Sequence, residues 1–468
     1  DTQAPPTTPT PEMPQMPALP EPDPTQPLGS MANPAIIDAL EGDFYARSYA
    51  MYEEMRANGR MSRVRLKLAD GDVEPTEEEK QALRATPFVP ELWMLTHYDD
   101  VNAFLLNDDD FSVNPATGMP PEQLAMMEQQ AQAQGEAFLP LSRSLLTIDP
   151  PDHTRLRRLV QPYFAGRAME AMRPAIEQLA NDLLDAADAA AAARGQSAPD
   201  RALELVAEFA YPLPVTVISD MLGVPEADRA RVRVWTEQLL GRRFRAPDEE
   251  QRRGVEEFGQ YMRDLCSRKR AEPGDDLISF LVQAEDEGGK LDETETLSMI
   301  FLVYIAGHIT TVNLIGNSVV ALLTHPAQMA AIRRDPSLTR NAVEETLRYW
   351  GPAESTLGRI AVRDTMVAGC PIHAGDRVMS SLASADRDPG KFANPDVFDI
   401  SRPDANRHVA FGKGIHVCLG APLARVEAEI ALAVLFRRYP ELRLAVPAGD
   451  LAWRSTFIRG FREIPLLV

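Results

Sequence analysis

The stretch from Asp292 to Leu323 constrains the fold most. Its apolar residues recur at helical spacing with no proline to interrupt them, which predicts one unbroken helix. At 1.5 Å per residue such a helix is about 48 Å long, enough to cross a domain of this size. Shorter helical patterns surround it in sequence, at Asp100–Leu106, His153–Ala165, Arg173–Arg194, Leu203–Leu222, Glu226–Leu240 and Glu250–Arg270. Strand-like pieces are confined to Met61–Leu66, Leu92–Thr96 and the Pro- and Gly-punctuated region after Ala361. Between the first two strands, Lys67–Pro90 is polar and acidic and predicts a loop with a helical turn at Glu77–Arg84. A last helix begins near Ala421-Pro422, with proline well placed in a first turn. The expected class is mainly α with small β-sheets.

The chain has 468 residues and a net charge of −21. A surface this acidic repels nucleic acid and anionic membranes on average, so neither is an expected partner. Three cysteines, Cys266, Cys370 and Cys418, are too few for a disulfide framework and fit a reducing, cytoplasmic setting. No run of about 18 apolar residues occurs, so no transmembrane helix is expected. The N-terminus shows no basic segment followed by an apolar one, as a signal peptide would have. Residues 1–30 contain ten prolines and no Lys or Arg, and predict an extended tail or linker. Pro27-Leu28-Gly29-Ser30-Met31 reads either as a junction ahead of a start at Met31 or as part of a natural Pro-rich extension. Residues 31–468 are expected to form a single large catalytic domain, acting as a monomer.

The sharpest chemical signal is Phe411-Gly412-Lys413-Gly414-Ile415-His416-Val417-Cys418-Leu419-Gly420. A glycine-rich loop here runs into a helix and sets one cysteine just before the helix N-terminus. Backbone N–H groups at that place favour a thiolate. Gly414 and Gly420 let the backbone approach a flat cofactor closely. The six positions Phe411, Gly412, Gly414, His416, Cys418 and Gly420 resemble the haem-thiolate signature of the cytochrome P450 family. The resemblance covers about residues 35–468. It implies the cytochrome P450 fold, haem b (iron protoporphyrin IX) as cofactor and Cys418 as the metal ligand, with Phe411, Gly412 and Gly420 lining the haem.

Three further motifs carry the resemblance. Glu345-Thr346-Leu347-Arg348 puts two opposite charges on one helix face, about 70 residues before Cys418. It resembles the family's buried E-x-x-R, with Arg402 as third partner in a structural charge network. His153, Arg157, Arg359 and His416 resemble the family's contacts to the haem propionates, which need cationic or donor partners. Ala306-Gly307-His308-Ile309-Thr310-Thr311 resembles the family's oxygen-binding groove. There Gly307 leaves room for dioxygen and substrate, and Thr310 offers a hydroxyl. The family's usual acid before the first threonine is replaced by Ile309. Proton delivery is then expected to run through Thr310 and water, with His308 as a weaker alternative at a helical phase that faces away.

Substrate is expected to meet Phe111–Leu146, Val206–Leu222, residues 300–310, Ala353–Leu357 and Thr456–Ile458. Met119, Met126, Met127, Leu139, Leu302, Phe457 and Ile458 would give a mostly apolar, adaptable pocket for a bulky small molecule such as a macrolide or other polyketide. The chain has no flavin or iron–sulfur motif. A ferredoxin or flavodoxin with its reductase is therefore the expected electron source, docking on Arg155, Arg158, Lys413 and Arg425. The resemblance implies a monooxygenase that hydroxylates or epoxidises its substrate. A peroxide-driven or non-hydroxylating member of the family, or a non-catalytic haem sensor, stays open beside it.

Overall fold

A computed structural model describes residues 23, 25–38, 44–67, 91–119, 121, 122, 124, 125, 143–196, 201–240, 249–286, 291–454 and 458–468. The expected helical turn at Glu77–Arg84 lies outside these residues. Six helices position the site: α1 (Asp152–Val160), α2 (Arg173–Ala193), α3 (Pro212–Leu222), α4 (Glu293–Thr324), α5 (Thr339–Trp350) and α6 (Ala421–Arg438). Helix α4 is the long helix read from the sequence. A capping box starts it: the Asp292 side chain accepts from the Glu295 N–H (2.7 Å) and Glu295 Oε2 from the Asp292 N–H (3.1 Å). By length and composition α4 could cross a membrane, yet 78% of its most apolar stretch is buried. Helices α3, α5 and α6 pack against it, and α2 packs against α6. A helix apolar on all sides is the expected centre of a large helical core.

The main sheet has six strands: β1 (Ala35–Asp38), β2 (Met61–Lys67), β3 (Leu92–Leu95), β4 (Phe111–Ser112), β5 (Arg359–Ala361) and β6 (Arg377–Ser380). Their order is β1-β2-β3-β6-β5-β4. Ala35 pairs with Val64 in parallel, Met61 with Leu95 antiparallel, and Trp93 with Val378 in parallel. Arg359 sits opposite Val378, so β5 delivers Arg359 from the sheet toward the helical half. The end of the Pro-rich segment joins this sheet. The Gly29 carbonyl accepts from the Arg63 N–H (2.7 Å), and Leu28 packs on the same apolar cluster as β1.

One sequence expectation is corrected. Leu203–Leu222 is not one helix. Ala202–Glu204 is a strand paired with Pro465–Leu467, Val206–Ala210 is a π-turn, and only Pro212–Leu222 is α-helical. Apolar residues fill all three pieces, so periodicity alone does not separate them. Pro212, which lacks an N–H to donate backward, marks where the α-helix restarts.

The E-x-x-R pair lies in the core below the cavity. Glu345 and Arg348 side chains are completely shielded from solvent. Arg348 donates to both Glu345 oxygens (2.8 Å each) and to the carbonyls of Asp386, Pro395 and Val397. Arg402 completes the network at 3.2 Å from Glu345, and its other nitrogens donate to the carbonyls of Ala393, Asn394 and Val397. Every strong donor here has an acceptor, which is what keeps two buried guanidiniums tolerable. Glu345→Ala or Arg348→Ala leaves an uncompensated buried charge and should cost about 3–5 kcal/mol. The expected outcome is a lowered melting temperature together with poor haem loading. A wild-type melting temperature in either variant would contradict this account.

Candidate active site

The loop 411–420 is shaped by its glycines. Gly414 has φ +73°, and a Cβ there would come within 2.4 Å of the Leu105 carbonyl. The Cys418 N–H donates to the Phe411 carbonyl (2.9 Å), which closes the loop on itself just before α6. Cys418 is exposed to an internal cavity rather than to the outer surface. Burial pushes its thiol up. The backbone N–H of Gly420, the Arg157 guanidinium, the N–H of Ala421 and Arg425 all act the other way, toward thiolate. The helix-terminus geometry read from the sequence is therefore present.

The cavity has a volume of about 350 Å³. One wall is the Cys418 loop, with Phe411, Gly412, His416 and Gly420. Another is the α4 stripe of Leu302, Val303, Ala306, Gly307, Thr310 and Thr311. These α4 positions repeat every three and four residues and so share one face. The Thr310 hydroxyl donates to the Ala306 carbonyl (3.0 Å). Gly307 has a second function that its motif does not reveal. An added Cβ would press within 3.0 Å of Ile218, so the glycine also lets α3 pack closely on α4. His308 and Ile309 fall off the cavity stripe. His308 is buried and its Nδ1 donates to the Tyr304 carbonyl (2.7 Å), and Ile309 packs in the core.

The four expected propionate contacts converge. Arg157, Arg359 and His416 line the cavity, and the His153 ring lies 4.2 Å from that of His416. Both His153 ring nitrogens are buried without a protein partner, oriented for an acceptor from outside the chain. Burial and the neighbouring Arg157 lower the His153 pKa. Burial, His153 and Arg359 bring His416 down to about 4. No Asp or Glu is among the described residues lining the cavity. A thiol, two imidazoles and two guanidiniums in an apolar cavity match what haem presents: a soft iron site, two carboxylates and a flat apolar face.

Sequence reasoning missed two acids. Asp108 pairs with Arg359 at 3.1 Å and steadies it beneath the carbonyls of Phe104 and Leu105. Glu427, on α6 nine residues past Cys418, is fully enclosed behind the cavity wall. The Thr311 hydroxyl is its polar neighbour, and Oε2 makes no hydrogen bond with the protein. Burial raises its pKa to about 8. A lone Glu in an otherwise apolar α6 face is the only sequence signal for it.

The expected substrate contacts are placed unevenly. Leu302 lines the cavity, as do Val113, Leu145, Leu146, Ile218, Ala353, Thr356 and Leu357. Ile458 does not. It forms a β-bridge with Ala353, and its carbonyl accepts from Asn313. Met126, Met127, Leu139 and Phe457 lie outside the described residues, and among the described residues no methionine lines the cavity. Among the described residues, the substrate side of the wall is mostly aliphatic.

A sequence model of the cytochrome P450 family matches residues 237–442. Cytochrome P450 monooxygenase PikC of Streptomyces venezuelae is 40% identical over 94% of this chain and 95% of its own length. The chain belongs to the cytochrome P450 family. Its cofactor is haem b, and it is a P450 monooxygenase acting on a small molecule with electrons from a redox partner. The 6-deoxyerythronolide B hydroxylase of Saccharopolyspora erythraea is 38% identical over 80% of this P450 and 89% of its own length. Among solved structures, a myxobacterial cytochrome P450 in complex with myristic acid superposes with a TM-score of 0.77. It is 38% identical and covers 92% of this chain and 98% of its own.

Glu427 gives this P450 a pH-dependent stability. In the unfolded chain its carboxyl ionises near 4.5, and in the fold near 8. The folded state therefore holds the extra proton between those values, and stability falls as pH rises through that window. Glu427→Gln removes the effect. Its stability relative to wild type should grow between pH 5 and pH 8 by on the order of 3–5 kcal/mol. Melting temperatures of both proteins across that range are the check, and parallel curves would rule the effect out.

Proposed function

We propose that Cys418 is the axial thiolate of a monooxygenase for a bulky, apolar, uncharged small molecule of the macrolide or polyketide kind. The observation that carries this reading is one cavity shared by Cys418 and Thr310, with Leu302, Val303, Ile218, Val113 and Leu145 on its apolar side. His153, Arg157, Arg359 and His416 would hold the two propionates, and Phe411, Gly412 and Gly420 would flank the ring. When bound, the haem supplies the oxygen activation that no side chain can perform. Residues 31–468 act as one catalytic unit, and a cytoplasmic, monomeric enzyme fits the bacterial relatives. The relative named as a 6-deoxyerythronolide B hydroxylase supports a substrate of this kind.

The chain's own contribution is orientation and protons. Leu302, Val303 and Ile218 give the substrate side an apolar wall that disfavours water. Putting one atom of dioxygen into a C–H bond releases the other as water and consumes two protons and two electrons. Ile309 has no proton to give, and His308 is committed to the Tyr304 carbonyl. Thr310 and Thr311 bring the α4 hydroxyls to the cavity. Glu427, neutral up to about pH 8, is the protonated group behind its neighbour Thr311. This supports delivery through the two threonines rather than through the histidine. A wholly peroxide-driven reading rests on Ile309 alone, and Glu427 weakens it.

Electrons would come from a ferredoxin- or flavodoxin-type protein. Of the four expected docking cations, Arg155 and Arg158 are exposed. Arg155 is held by Glu295 and Asp152, Lys413 bonds Asn102, and Arg425 bonds Glu344. Docking therefore centres on Arg158, with the others reaching out from existing pairs.

Cys418→Ala should abolish the red-shifted Soret band of the reduced, carbon monoxide-bound protein. Retention of that band would mean another ligand. Thr310→Ala should keep consuming NAD(P)H while hydrogen peroxide replaces hydroxylated product. Positioned proton delivery is worth roughly 10²–10⁴ in rate, so the ratio of product to NAD(P)H should fall clearly. His308→Ala should leave that ratio near wild type. The opposite pattern in the two variants would hand proton delivery to His308.

A further inference from the structure

A second charged cluster lies beside the Cys418 loop, off the cavity lining and next to the E-x-x-R network but separate from it. Its centre is Glu344, whose side chain is 10% exposed. Arg425 on α6 donates to it twice, Nε to Oε1 at 2.6 Å and a terminal nitrogen to Oε2 at 3.0 Å. His408 donates from Nε2 to Oε2 at 3.1 Å. The His408 tautomer is fixed from its other side, because Nδ1 accepts from the Ala410 N–H (3.2 Å). Burial pushes the Glu344 carboxyl up, but the hydrogen bonds from His408 and Arg425 outweigh it and bring it to about 2.

Both partners of Glu344 also touch Phe411. The Arg425 guanidinium stacks 4.7 Å from the Phe411 ring centre, and the His408 ring lies 5.9 Å from it. Phe411 in turn lines the cavity, and its carbonyl takes the Cys418 N–H. One carboxylate thus holds the two groups that clamp the residue closing the thiolate loop. A pair needed only for packing would not have to place its cation against this aromatic ring.

We infer that Glu344, through Arg425 and His408, is a positioning residue that sets how strongly Cys418 donates electron density to the iron. The inference rests on Cys418 being the ligand. Glu344 offsets the positive charge of Arg425, which lies close enough to favour the thiolate electrostatically. Without the carboxylate, the uncompensated guanidinium draws on the sulfur and makes the reduced iron easier to form. Without the guanidinium, the sulfur donates more freely and the reduced iron is harder to form.

The test is the reduction potential of haem-loaded wild type, Glu344→Gln, Arg425→Gln and the double variant, with the carbon monoxide spectrum of each. Glu344→Gln should shift the potential upward and Arg425→Gln downward. The double variant should return near wild type, and all four should keep the thiolate-type band. Potentials that stay at wild type in both single variants, or that move in the same direction, overturn the inference. So does failure of both single variants to load haem, since that assigns the cluster to folding alone. If wild type itself shows no thiolate-type band, the fault lies instead with Cys418 as ligand.

Discussion

The Glu345 carboxylate, bonded to two guanidiniums and to the Asp399 N–H with no access to water, is the constraint on which the site depends. A charge in that position is tolerable only if every partner stays in place. It therefore fixes the irregular segment 386–402 through the carbonyls that Arg348 and Arg402 hold. That segment fixes the loop. Arg348 donates to the Asp386 carbonyl, and the Asp386 side chain accepts from the Val409 N–H (2.7 Å). Only Ala410 then separates Val409 from Phe411. An irregular segment anchored in the core by Phe392, Phe398 and Ile400 is also tied by polar bonds to helix α5.

The cavity depends on the opposite property. Helix α4 is buried nearly throughout, so its faces are assigned by packing and not by solvent. The stripe at 302, 303, 306, 307, 310, 311 and 314 faces the cavity. Residues 308 and 309 are rotated out of it by the 100° step of the helix. His308 therefore packs against Tyr211 and Tyr304, with ring centres 5.9 and 5.8 Å away. Gly307 shows how tightly the two demands meet, since the same missing side chain admits Ile218 on α3 and widens the groove.

Much of this was legible in the sequence because the signals were local. The Cys418 loop, the E-x-x-R pair and the α4 stripe each occupy a few consecutive turns, and their spacing fixes their geometry. The convergence of His153, Arg157, Arg359 and His416 was legible only through resemblance, since they come from α1, β5 and the loop. The functions of Asp108, Glu344 and Glu427 could not be read. Each is an ordinary acid on an ordinary element, and its meaning lies in what the fold sets beside it: Arg359, the Phe411 clamp and Thr311. The expected helix at Leu203–Leu222 failed for a related reason. Its first residues are apolar because they join a strand near the C-terminus, and a helical pattern cannot distinguish that from a helix face.

Placed together, the three acids surround the cavity without entering it. Asp108 steadies Arg359, Glu344 offsets Arg425 beside the Cys418 loop, and Glu427 stands neutral behind Thr311. Their states differ because their surroundings do. Glu344 has two strong donors and is held ionised, whereas Glu427 has one hydroxyl neighbour and keeps its proton. Ile309 packs in the core beside the cavity stripe, so the position next to Thr310 carries no acid, and the buried carboxyl that keeps its proton stands instead on α6, behind Thr311.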